Sequence, residues 1–302
     1  MRVFALSDIH VDYAENLHWL KNISTTHYRD DTLLLAGDAT HDLARLREAF
    51  DILLARFRHV FFVPGNHELW VMKGERGNSL DKFQHILALC KSMGVGVEPA
   101  AVGEGANRLW IVPLFSWYTL PEQGDDSLYL PKRGGDQGLK VWSDTYFVKW
   151  PEQVQQEGPG AYFLRLNEQH VHNNYDAPVI SFSHFLGRQD LLFTYGTDVQ
   201  ELLKRAAEQP PSPNESGDGF NFSRVAGSSN IDQQVRQLKS GVHVHGHQHR
   251  NRFRVLDGIL YVSHCLGYKH ERNKGILPQI EQGPLKIWDN SPSWDPMNLT
   301  QY

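Results

Sequence analysis

Five short stretches of the chain hold the residue types from which a metal centre is built: Asp8-Ile9-His10, Gly37-Asp38, Gly65-Asn66-His67-Glu68, Ser183-His184-Phe185 and Gly246-His247-Gln248-His249. Carboxylate oxygens mixed with imidazole nitrogens suit Mn, Fe or Zn, whereas a magnesium site would not recruit so many histidines. Histidine is also the unusual count, 16 in 302 residues, and several fall in these tight clusters. Taken singly, Asp8, Asp38 or Asn66 would read as a helix cap after a strand. Together they point to transition-metal ions that act as Lewis acids and generate hydroxide near neutral pH.

Three clusters sit at the ends of apolar runs: residues 3–6 end at Ser7-Asp8, 32–36 at Gly37-Asp38 and 60–63 at Pro64-Gly65-Asn66. Short apolar runs bounded by turn residues read as strands. Between them, about 14–24 and 43–56 carry apolar residues at helical spacing, so this part reads as βαβαβ. Further strands are expected at 109–114, 179–183, 241–245 and 258–262, the second ending at His184 and the third running into Gly246-His247. In open α/β sheets functional groups gather beyond the carboxyl ends of the strands. The order of the chain therefore predicts that all five clusters converge on one rim.

In this order the clusters resemble the motifs of the calcineurin-like metallophosphoesterase superfamily, DxH, GD, GNH[DE], H and GHxH, from Asp8 to His249. The resemblance implies an α/β fold of four layers, two mixed β-sheets flanked by helices, built by residues 1–302 as a single domain with loop insertions over the metal site. It implies two transition-metal ions. Asp8, His10 and His249 would hold one, Asn66, His184 and His247 the other, and Asp38 would be shared. A bridging hydroxide would attack phosphorus, and His67 would protonate the leaving oxygen as general acid. The implied activity is hydrolysis of a small phosphodiester or phosphomonoester, with the diester favoured because an acid helps most with a poor alkoxide leaving group. Two other readings are a binding scaffold that has lost catalysis, which the intact ligand set argues against, and a nucleotide or nucleic-acid phosphodiesterase.

The bulk numbers narrow the partners. A formal net charge of −5 gives no general attraction to a polyanion, which counts against long DNA or RNA and leaves a small phosphorylated substrate. A composition 40% hydrophobic and 22% charged is that of a soluble globular chain. Cys90 and Cys265 lack metal-type spacing and are too few for a disulfide framework, so both read as free thiols. The opening MRVFALSDIH turns polar too soon for a signal peptide or a membrane span, so the expected location is cytoplasmic, away from membranes.

Other residues carry weaker expectations. Arg188, four positions after His184, and Arg252, on one strand face with Arg254, are candidates to grip substrate phosphate. Glu68 is read as a hydrogen-bonding residue, and His243 and His245 as supports beside the ligands. His41, His264 and His270 are read the same way. An aromatic-rich stretch at about 116–156 and a polar one at about 208–229 read as insertions over the site; the aromatics of the first, Trp117, Trp142 and Trp150 among them, could stack a base or aryl leaving group, and packing onto the core is the favoured reading.

Overall fold

The computed structural model describes residues 1–131, 136–193 and 219–291. Strands β1 (Arg2–Leu6), β2 (Thr32–Ala36) and β3 (His59–Val63) pair in parallel, joined by helices α1 (Ala14–Asn22) and α2 (Leu43–Leu54). The expected βαβαβ unit is thus present, each helix ending two residues earlier than its apolar pattern suggests. In α2 the Asp42 side chain accepts the Arg45 N–H, and Leu46, Ala49, Phe50 and Leu53 form the buried stripe.

Helix α3 (Ser79–Met93) opens on a reciprocal pair of caps between Asn78 and Asp81 and stops at Gly94, where φ is 75°. Strands β4 (Ala100–Val102) and β5 (Leu109–Pro113) follow. Helices α4 (Asp144–Phe147), α5 (Glu152–Glu157) and α6 (Pro159–Val171) lead to β6 (Val179–Phe182). Then come α7 (Ser229–Gln237), β7 (Val242–His245), β8 (Arg252–Leu256), β9 (Ile259–Ser263), α8 (Lys269–Asn273) and β10 (Leu285–Asp289).

The strands form two mixed sheets, ordered β10-β1-β2-β3 and β4-β5-β6-β7-β9-β8, with parallel interiors and antiparallel β10, β4 and β8 at the edges. Alternation along the larger sheet sets its two faces. Ile111, Ile180, Phe182, Val242, Val244, Leu260 and Val262 join the core shared with the small sheet. Val112, Val179, Ile259 and Tyr261 instead pack with Val235 and Leu238 at α7. The result is two sheets flanked by helices, the predicted layering. Backbone bonds sew the sheets together beyond their carboxyl ends: Ser7 N–H donates to His264 C=O, Leu266 N–H to Ser7 C=O and Gly267 N–H to Asp8 C=O.

The described parts of both expected insertions are built into the fold. The aromatic stretch contains α4 and most of α5, and it buries Trp117 against Trp150, Phe163 and Phe185. Of the polar stretch, 208–218 lie outside the described residues. The rest is no exposed loop: Val225, Ala226 and Ser228 are buried, and Ala226 and Ser228 bond the Leu186 backbone. Gly227 permits that approach, since a Cβ there would stand 1.9 Å from the Leu186 carbonyl oxygen.

Asn167 of α6 anchors the start of the aromatic stretch. Its buried amide accepts the Phe115 N–H at 3.0 Å and donates to the Phe115 carbonyl and to Gln234 Oε1, both at 2.8 Å. Asn167→Ala strands those groups and is expected to destabilise the fold by about 2 kcal/mol in urea titration. A midpoint equal to wild type would show that the anchor contributes nothing.

Candidate metal centre

The carboxyl ends of β1, β2, β3, β6 and β7 deliver all five clusters to one place, and the backbone must bend sharply to do it. Among the described residues, Asp8, His10, Asp38, His247 and His249 are five of the eight non-glycine residues with positive φ. Such conformations are costly for side-chain-bearing residues and persist where surrounding contacts over-determine them. Glycine supplies the space: a Cβ at Gly37 would meet His184 Nδ1 at 2.5 Å, and one at Gly65 would meet Asp38 Oδ1 at 2.2 Å. Glu68 locks two of the turns, accepting N–H groups from Asp38, Ala39, Thr40 and Gly65 at 2.6–2.9 Å. It is the hydrogen-bonding residue that was expected.

The imidazoles are held so that lone pairs point inward. His184 Nδ1 lies 2.8 Å from the Ala36 carbonyl, His247 Nε2 3.0 Å from the Val225 carbonyl and His249 Nδ1 2.8 Å from Glu271 Oε2. Each of those nitrogens must carry the proton, which leaves its ring partner free to ligate. His249 Nε2 then faces His10 Nε2 at 3.0 Å and Asp8 Oδ1 at 3.5 Å. His184 Nε2 faces His247 Nδ1 and Asn66 Oδ1, both at 3.2 Å, and Asp38 Oδ2 at 3.5 Å. Asp8-His10-His249 and Asp38-His184-His247 are therefore two sets of donor atoms able to hold a cation each. Asp38 also groups with His10 and His67, which puts it between the sets.

The electrostatics ask for positive charge in both sets. Burial opposes a proton on His184, yet Asp38 raises it to about 9; burial opposes one on His249, yet Asp8 and Glu271 raise it to about 10. Burial lowers His247 to about 3 and His10 well below its usual value. Each set thus combines a buried carboxylate, one imidazole drawn toward positive charge and one kept neutral, which fits a metal cation well.

His67 stands beside the sets, its Nε2 3.8 Å from Asp38 Oδ2 and its ring stacked on Trp70 at 3.7 Å. Burial lowers its pKa. A cavity of about 260 Å³ opens here, with Trp70, Trp142, Phe222 and Tyr268 among its walls. The aromatic insertion therefore lends Trp142 to the site instead of burying it wholly in the core.

Neither arginine singled out in the sequence lines this cavity. Arg188 is engaged by Asp190, Asp232 and Asp257, and Arg252 donates to the Phe193 carbonyl and to Gln248 Oε1. Nearness along the chain to a ligand says nothing of where a long side chain turns. His243 sits between Ser181 and Ser183 hydroxyls on the far face of β7, and His41 pairs with Asp12. Three neighbours of the ligands escaped the sequence reading: Glu271, Tyr268, which stacks on His10 at 4.7 Å, and Asp144, which accepts the Asn66 amide N–H at 2.9 Å. The first two follow the end of β9, so the rule that polar residues beyond strand ends form the site would have reached them. Asp144 carries no such signal.

Fold and centre together define a metallophosphoesterase. The family model for calcineurin-like phosphoesterases matches residues 1–251, and the chain belongs to that family, whose members are metal-dependent hydrolases of phosphoric esters. Among curated proteins it is similar to "[Acyl-carrier-protein] phosphodiesterase PptH" of Mycobacterium tuberculosis (strain ATCC 25618 / H37Rv), 32% identical over 131 residues. That match spans 40% of this chain and only 39% of the relative's length. The crystal structure of phosphopantetheinyl hydrolase (PptH) from Mycobacterium tuberculosis superposes with a TM-score of 0.69, covering 98% of both chains at 21% identity, a likeness of fold.

Glu271→Ala removes the group that sets the His249 tautomer. It is expected to weaken Mn binding about 10- to 100-fold in a calorimetric titration, with the melting transition retained. Wild-type affinity in that variant would show that the Glu271 contact does not tune the centre.

Proposed function

We propose that this chain is a phosphodiesterase with two transition-metal ions, one on Asp8, His10 and His249, the other on Asn66, His184 and His247, with Asp38 shared and His67 as the general acid. Mn, Fe or Zn all suit the donors. When bound, the ions supply Lewis acidity at the phosphoryl oxygens and an activated water near neutral pH. His67 is kept in place from two sides, by its backbone N–H, which donates to Asp38 Oδ1 at 3.0 Å, and by the Trp70 ring stacked on its imidazole. It lines the cavity, where it can pass a proton to a leaving oxygen.

The observation that carries the diester reading is the cavity wall. Among the described residues lining it none is Lys or Arg, while four are large aromatics. A phosphomonoester bears close to two negative charges at neutral pH and calls for cationic donors beyond the metals, whereas a diester bears one and brings two organic arms that apolar walls accept. PptH, by name an acyl-carrier-protein phosphodiesterase and a phosphopantetheinyl hydrolase, supports as substrate class a diester joining a phosphopantetheinyl group to an acyl carrier protein.

With Mn-loaded protein, bis(4-nitrophenyl) phosphate is expected to turn over faster than the mono-ester, and phosphopantetheinyl carrier protein to be converted to its unmodified form by mass spectrometry. A faster mono-ester would reverse the preference, and no turnover of any of the three with metal bound would favour a non-catalytic scaffold. His67→Ala should retain both ions yet lose about 10²- to 10⁴-fold in kcat on diesters with alkyl leaving groups. Full activity there would remove His67 from the role. Asp38→Asn should weaken both ions together, and selective loss of one would contradict the shared carboxylate.

A further inference from the structure

Asp144 opens α4 inside the aromatic insertion and is 3% exposed. Three side-chain N–H groups converge on it. Oδ1 accepts Asn66 Nδ2 at 2.9 Å and Trp70 Nε1 at 2.6 Å, and Oδ2 accepts Trp142 Nε1 at 2.8 Å. No lysine or arginine pairs with it among the described residues. A buried carboxylate without a counter-ion is expensive to keep, and it is tolerated where charge-assisted bonds satisfy it. A carboxylate, with two oxygens and about four lone-pair sites, has room for all three donors.

We propose that Asp144 is the positioning residue of this centre, fixing the ligand Asn66, the indole behind His67 and one cavity wall in a single geometry; the inference rests on the roles proposed above for Asn66 and His67. The amide of Asn66 has an oxygen and a nitrogen of nearly the same shape. Tying Nδ2 to Asp144 turns Oδ1 toward His184 Nε2, 3.2 Å away, so the carboxylate decides which end of the amide meets the metal. The same Oδ1 holds the Trp70 indole at the angle where it stacks on His67, 3.7 Å between centroids and 30° between planes. Through Oδ2 it sets Trp142, whose ring stands perpendicular to His247 and stacks on Phe220 at 5.2 Å.

The insertion is itself docked on the stretch that follows His67. Val71 N–H donates to the Phe147 carbonyl, Ser79 N–H to the Lys149 carbonyl, and Lys149 N–H to Ser79 Oγ. Asp144 is therefore held from the far side of the same turn it organises. An element that composition marks as a covering loop becomes part of the metal and proton-transfer machinery.

The test uses the full chain with Asp144→Ala, Asp144→Asn, Trp70→Phe and His67→Ala. Mn affinity is measured by calorimetry, and kcat at saturating Mn is measured over a series of phosphodiesters of rising leaving-group basicity. Asp144→Ala should lower Mn affinity about 10- to 100-fold and make kcat fall more steeply with leaving-group basicity than in wild type. Asp144→Asn, which keeps one acceptor oxygen, should lie between. Trp70→Phe keeps an aromatic ring but not the indole N–H, so it should steepen the slope while binding Mn as wild type does. Wild-type Mn affinity in a folded Asp144→Ala, or a wild-type slope in Trp70→Phe, overturns the proposal, and the second result decides even if Asp144→Ala does not fold. His67→Ala separates the causes: if it too leaves the slope unchanged, the acid assignment falls and the positioning role with it. If it steepens the slope while the other variants do not, only Asp144 is acquitted of the role.

Discussion

Two carboxylates, Asp8 and Asp38, are buried to 0% and 2% exposure, and the surrounding structure answers to their charge. An ion taken out of water costs several kcal/mol unless donors or opposite charges replace the lost hydration. Here the replacements are backbone N–H groups, from His247 to both oxygens of Asp8 and from His67 to Asp38, together with the imidazoles of His184 and His249. The remaining negative potential raises those two imidazoles above their usual range, the same demand that a metal cation meets. Attraction between two buried anions and the positive charge placed among them is what the loops are shaped to serve.

That shape is costly for the chain. Asp8, His10, Asp38, His247 and His249 all adopt positive φ, a conformation that disfavours residues with a Cβ by on the order of 1 kcal/mol or more each. Glu68 and the seam between Ser7, Asp8, Leu266 and Gly267 hold the turns in place, and the two-sheet core beneath keeps the strand ends fixed. Rigid sheets, bent tips and inward-facing donors form one mechanical unit, in which stability gained by packing supports a centre that is unfavourable by itself.

The walls of the cavity have a different origin from its floor. Its floor comes from strand ends, while Trp142 and Phe222 come from the aromatic-rich and the polar stretch that read as insertions. Donor atoms and part of the cavity wall thereby come from separate parts of the chain: the strand ends hold the donors, and Trp142 and Phe222 of the two expected insertions stand beside them.

The ligand clusters, the strand ends and the parallel order were legible in the sequence because each depends on local pattern, apolar runs closed by Gly, Asp, Asn and His. Glu68 was also readable, since a carboxylate inside a tight turn has backbone N–H groups within reach. The surroundings of Arg188 and Arg252 were not legible for the opposite reason: a flexible guanidinium goes to whichever carboxylate or carbonyl the fold presents, and here Asp257 and the Phe193 carbonyl are presented. Asp144 lies 78 residues from Asn66, a separation that no periodicity encodes, whereas Glu271, beyond the end of β9, lay within reach of the strand-end rule. By itself the sequence determined which donors exist and that strand ends would gather them. Only the tertiary structure decided which nitrogen of each imidazole faces inward, which end of Asn66 does, and which side chains from distant loops enforce it, because those choices are made by hydrogen bonds between segments that meet only when the chain is folded.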